Sequence, residues 1–161
     1  MRSSGGGAVA HVTLALDGAA LAGAAVSIDL RARALITGAA SRITANGGDE
    51  TASDETDRGG GGGRIALRAA DRFEVRDEIV EARGGRNGTL AGSQYVDGGA
   101  GTIYTLRPGA TVGDLRVTTD TSTHATSGTP LSGEFATITI GPRVLARFDA
   151  EPSGTLLADP T

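Results

Sequence analysis

The sequence predicts an all-β fold, a right-handed parallel β-helix with long glycine-rich loops. Three observations carry that prediction. Apolar and polar residues alternate over short runs, a 21-residue block recurs at a constant offset of 37, and each copy runs into a polar, glycine-rich insert of 16 residues.

The repeat comes first, because a missed repeat miscasts the whole fold. "IDLRARALITGAASRITANGG" (28–48) aligns without a gap on "IALRAADRFEVRDEIVEARGG" (65–85), with seven of 21 positions identical. Ile28 meets Ile65, Leu30 meets Leu67, and apolar character carries over at Ile36/Phe73 and Ile43/Val80. Within each copy the period is two. Ile28, Leu30 and Ala32 alternate with Asp29, Arg31 and Arg33, and Ile65, Leu67 and Ala69 do the same in the second copy. Such alternation marks half-buried strands. The best helical candidate, 19–35, places its apolar residues on no single stripe.

One block therefore reads as three short strands followed by a loop. About twenty residues is the length of one solenoid coil. Stacked coils would pair each strand with its own copy in parallel, about 4.8 Å apart. Residues 1–27 are expected to be irregular or a capping coil, 28–117 the repeat coils, and 118–161 C-terminal strands, all in one segment of a longer chain. A third block opens at 102–117, imperfectly in register because "IYTL" carries an extra residue, and an earlier one is suggested at 11–21. Further strands are expected at 136–140, 143–149 and 155–159, with a Thr/Ser-rich loop over 118–130 and a turn at Gly141-Pro142. The five glycines at 59–63 are expected where an insert rejoins the coil, at a sharp turn needing the positive φ that glycine allows.

Composition fits a thin core. The 161 residues include 26 glycines, no tryptophan and only 3% aromatics, so Ala, Val, Ile and Leu must fill the interior. All 15 basic residues are arginine, as expected of a GC-rich genome. A net charge of -4 argues against nucleic-acid or anionic-membrane partners. The absence of cysteine excludes disulfides and thiolate metal sites. No stretch approaches the length of a membrane span, so membrane insertion is not expected. Met1 leads straight into glycines, and any export signal is expected upstream of this segment.

"GGGGGRIALRA", "EARGG", "GGAGTIYTL" and "VGDLRVTTDT…TPLSGEFATITIG" together resemble the glycine-rich parallel β-helix segments of large bacterial cell-surface, adhesin-like proteins. The resemblance covers roughly residues 28–141. It implies an extracellular or cell-surface location and a structural or adhesive role. It carries over no catalytic residue.

Candidate sites are few. Asp49, Asp54 and Asp57 of the acidic insert could offer carboxylates to calcium, which takes six to eight oxygens, although their spacing matches no established calcium loop. Otherwise no cofactor is expected. His11 and His124 are too few for a histidine metal cluster. Ser122, His124 and Asp120 are too close in sequence to meet as a triad. Tyr95 and Tyr104 flank the second glycine-rich insert and could stack on sugar rings. Arg31 and Arg68 should point outward and stack in adjacent coils, where Asp29, Glu74, Arg76 and Glu81 can neutralise or accompany them. The expectation is a non-catalytic extracellular module whose partners are surface glycans or further copies of itself. The alternative is a carbohydrate-active β-helix enzyme, a polysaccharide lyase or hydrolase.

Overall fold

The computed structural model describes residues 26–49, 59–86, 98–119, 128–148 and 153–158. Strands dominate them: β1 (Ser27–Ile36), β2 (Ile43–Thr44), β3 (Arg64–Glu74), β4 (Val80–Glu81), β5 (Thr102–Leu106), β6 (Asp114–Val117), β7 (Thr129–Leu131), β8 (Glu134–Ile140), β9 (Ala146–Phe148) and β10 (Ser153–Ala158). A single 3₁₀ turn, Asp77–Ile79, precedes β4. A six-stranded sheet runs β1-β3-β5-β6-β8-β10, and two small sheets pair β2 with β4 and β7 with β9.

The first two copies of the repeat pair in parallel. Ile28 faces Ile65, Leu30 faces Leu67 and Ala32 faces Ala69, the offset of 37 seen in the sequence. Ile43 faces Val80 at the same offset. Between these stretches the register slips, because Ala34 faces Arg72 at an offset of 38. Phe73 therefore lies opposite Leu35, not Ile36 as the ungapped alignment expects, and Ile36 is left 55% exposed. Each unit also holds one long strand and one short one where three short ones were expected.

The expected right-handed parallel β-helix is not what the chain forms. Its sheets are small and mixed, and the break falls between β5 and β6, which pair antiparallel. The cause is local. Pro108 and Gly109 occupy the two central positions of a tight turn closed by the Ala110 N–H donating to the Arg107 carbonyl at 3.1 Å. Gly109 has φ 78°, as a type II turn requires. Leu106 and Asp114 bound a connection of seven residues, 107–113. A parallel crossover needs a dozen or more.

That reversal moves the core to the other face. Across the sheet Ile28, Ile65 and Ile103 form one row, and the next residue in it is Arg116. The neighbouring row runs Asp29, Ala66, Tyr104, Leu115 and Ile138. The first core, Ile28, Ile65, Leu67, Val80, Ala82 and Ile103, thus lies on one face of the sheet. The second, around Leu115, Val117, Leu131 and Ile138, lies on the opposite face under β7 and β9.

The glycine tract has a different reason from the expected one. Among the described glycines only Gly109 and Gly133 take positive φ, so 59–63 are not selected for a left-handed turn. Gly59, Gly62 and Gly63 are instead selected for closeness, since a Cβ on any of them would run into neighbouring backbone. The Gly60 N–H donates to the Gly48 carbonyl at 3.0 Å, the Gly85 N–H to the Gly60 carbonyl at 2.7 Å, and the Gly98 N–H to the Gly85 carbonyl at 2.9 Å. Glycines from four separate stretches thus form a buried seam with backbone packed on backbone. A Cβ on Gly85 would lie 1.9 Å from the Gly48 oxygen, a distance no side chain can hold.

Gly85→Ala is therefore expected to destabilise the fold by about 3 kcal/mol or more, the upper end for an overpacked interior. Gly61 has open space where its Cβ would stand. Gly61→Ala should be neutral or stabilising by up to about 1 kcal/mol through the unfolded chain. Paired urea titrations of the two variants measure the contrast.

Candidate binding surface

The outward face of β1, β3 and β5 carries three rows: Ser27, Arg64, Thr102; Asp29, Ala66, Tyr104; and Arg31, Arg68, Leu106. The strand period puts Asp29, Arg31 and Arg68 on this face, and the register of 37 sets the two arginines side by side. Asp29 bridges them. Its Oδ2 accepts from Arg31 Nη2 at 2.7 Å and from Nε at 3.1 Å, and its Oδ1 accepts from Arg68 Nη1. The hydrogen bonds from Arg31, and then the charge of Arg68, hold the Asp29 carboxyl below its ordinary value, while Asp29 raises Arg31.

Arg68 and Tyr104 come together as a pair. The guanidinium carbon lies 5.3 Å from the ring centroid, within cation–π range. The Tyr104 hydroxyl accepts from the Gly113 N–H at 3.0 Å, and its ring meets Phe135 edge to face at 6.4 Å. Tyr104 is thus fixed at both ends and one face is covered, so it tethers the β5–β6 hairpin as well as lining the surface. Arg31 is 70% exposed at its side chain and stands at the rim.

Where the β7 layer ends, this face is left as a groove of about 540 Å³ bordered by Asp29, Arg64, Arg68, Tyr104, Glu134 and Phe135. A second hollow of about 460 Å³, walled by Gly61–Gly63 and Gly99–Gly101, adjoins it through Arg64 and Thr102. Arg64 is exposed at their junction and makes no ion pair among the described residues.

The acidic insert behaves differently from a calcium loop at the one position described. Asp49 Oδ1 accepts from Arg83 Nη1 at 2.9 Å and from the Arg86 N–H at 2.8 Å, and Oδ2 lies 3.4 Å from Arg83 Nη2. Both oxygens are thus turned onto the next copy of the repeat. Asn46 does the same, its Oδ1 accepting from the Arg83 N–H at 3.0 Å. Among the described residues no three of His, Cys, Asp and Glu cluster to hold a metal. Asp54, Asp57 and Tyr95 lie outside the described residues, as do His11, Asp120, Ser122 and His124. Glu74 and Arg76 are spent locally, Glu74 on Arg72 and Arg76 on the Gly38 and Ala39 carbonyls and Glu78. Glu81 pairs with Arg83.

Sequence pattern alone did not mark Arg64 at the groove, nor Asn46 and Asp49 as links between copies. A signal was present for the last two: Asn46 lies 37 residues before Arg83, and Asp49 37 before Arg86.

No family model, curated protein or solved structure matches the chain. Among the described residues no helix is long and apolar enough to cross a membrane.

Hydrogen bonds from Arg83, and then from the Arg86 N–H, lower the Asp49 carboxyl from its ordinary value of 3.8. A carboxyl lowered by folding stabilises fully above that ordinary value, and the gain is lost as pH falls through the lowered folded value. Acid titration of stability should therefore show a steeper loss below the ordinary aspartate range in the native chain than in Asp49→Asn, with the two curves parallel near neutral pH. Thermal melts across pH 2 to 6, roughly the aspartate window, check this.

Proposed function

We propose that the chain is a non-catalytic structural module of an extracellular, cell-surface protein, with an adhesive face. One observation supports this reading above the others: outward charges on these strands pair with one another, and three of the ion pairs join one copy of the repeat to the next. Asp29 bridges Arg31 and Arg68, Arg33 reaches Asp71, and Asp49 holds Arg83. A hydrolase or lyase face would turn such groups toward a substrate. Here they fasten neighbouring strands, which suits a part that must keep its shape.

The groove beside Tyr104, Arg68 and Arg64 is the contact surface of this reading, and surface glycans are its partner. Aromatic and guanidinium planes offer stacking area to sugar rings, and Arg64 offers a cation to an acidic one. Calcium would enter through Asp54 and Asp57 of the acidic insert, since Asp49 is engaged by Arg83 and Arg86. The surface location draws on the resemblance of the glycine-rich blocks to adhesin-like chains.

Two arms test the proposal. Antibody against this segment should label intact cells that make the parent protein, and protease shaving should remove the label. Labelling only after permeabilisation would overturn the location. Acidic polysaccharides incubated with the protein, with and without calcium, should be retained without being cut. Release of unsaturated or reducing ends would overturn the non-catalytic role.

A further inference from the structure

β4 accepts a copy of its own sequence on one edge only. On the β2 side the Ala45 N–H donates to the Glu81 carbonyl at 2.9 Å and the Gly47 N–H to the Arg83 carbonyl at 2.8 Å. The alternate carbonyls, Val80 and Ala82, point to the other edge. The Gly101 N–H takes Ala82 at 2.7 Å. Among the described residues no third copy of the short strand follows, because the β5–β6 hairpin has turned the chain back. Into that place comes a side chain. Arg116 Nη2 donates to the Val80 carbonyl at 2.9 Å and to the Asp77 carbonyl at 3.0 Å.

Arg116 sits in the row that Ile28, Ile65 and Ile103 occupy on the preceding strands. An apolar residue there would extend the first core. A half-buried arginine instead brings its donors to the part of the edge that Gly101 leaves uncovered. Unpaired strand edges are templates for another chain, and charged side chains are among the devices that block them.

We propose that Arg116 is a plug, closing the outer edge of β4 against strand pairing with a second copy of this chain. The occupant it excludes is the 43–48 segment of another molecule, since that sequence already pairs with β4 in parallel and in register on the other side. The guanidinium supplies the donors that the missing strand's amides would supply. This inference does not rest on the surface-module reading and fails or stands separately from it.

The test compares Arg116→Ala, Arg116→Lys and the native chain by sedimentation velocity over a concentration series, with circular dichroism to follow strand content. Arg116→Ala should keep its strand signal and associate at roughly tenfold lower concentration than the native chain, a shift worth about 1.4 kcal/mol. Amide exchange at Val80 to Ala82 should slow in the associated species. Arg116→Lys, which retains a cationic donor, should follow the native chain. Should Arg116→Ala lose its strand signal, Arg116→Met, which keeps the stem but no donor, takes its place. A folded variant without the donor that associates no more readily than the native chain would overturn the proposal, as would association that leaves exchange at 80–82 unchanged.

Discussion

The structure depends on backbone approaching backbone without side chains between. Gly48, Gly60, Gly85 and Gly98 come from four stretches of sequence and are linked by three hydrogen bonds in series. A peptide group buried without a partner costs free energy comparable to a lost hydrogen bond. Here the glycine stretches satisfy one another. The seam also fixes geometry: it ties the end of the first repeat to the start of the second and the end of the second to the start of the third. The long strands β1 and β3 are then held where Ile28 can cover Ile65 and Leu30 can cover Leu67. The flexible tract and the regular strand beside it are parts of one arrangement, because the entropy lost in ordering glycine is offset by contacts only glycine can make.

The second constraint is the hairpin at Pro108-Gly109. It sets the limit of the parallel repeat and turns the apolar row over to the opposite face. Two thin cores result, one on each side of the same sheet, and this explains how so few large side chains suffice. Each core is filled by Ile, Leu, Val and Ala, with Tyr104 and Phe135 at the margin of the second. The outward face of the first half becomes continuous with the inward face of the second half, and the step between them is the groove.

Much of this was legible in the sequence, and the rest was hidden for identifiable reasons. The offset of 37 located the β2–β4 pairing, and the β1–β3 pairing as far as Ala32, to the residue, because identical apolar residues at a fixed spacing leave little choice of register. Period-two alternation located β8 within a few residues. The bulge after Ala32 was invisible, since one slipped residue is recovered by Ile43 and leaves the ungapped alignment intact. The hairpin was readable and was overlooked: "RPGA" places Pro and Gly at the two central positions of a type II turn. The role of the 59–63 glycines could not be read, because close approach depends on which other glycines arrive, and that is a property of the assembled sheets. The period of two and the offset of 37 put Arg31 and Arg68 side by side on the outward face, whereas Tyr104 was read only as flanking the second insert, and the β3–β5 pairing is what brings it beside Arg68. Asp49 was read as a free carboxylate because its partner lies in another copy.

The account stands or falls on the seam. Amide hydrogen exchange read at Gly60, Gly85 and Gly98 in the native chain tests it most directly. The structure predicts that these amides are protected as strongly as that of Leu67 inside β3, since each donates within the buried glycine packing. Exchange at those glycines as fast as in an unstructured peptide, beside a protected Leu67, would contradict it.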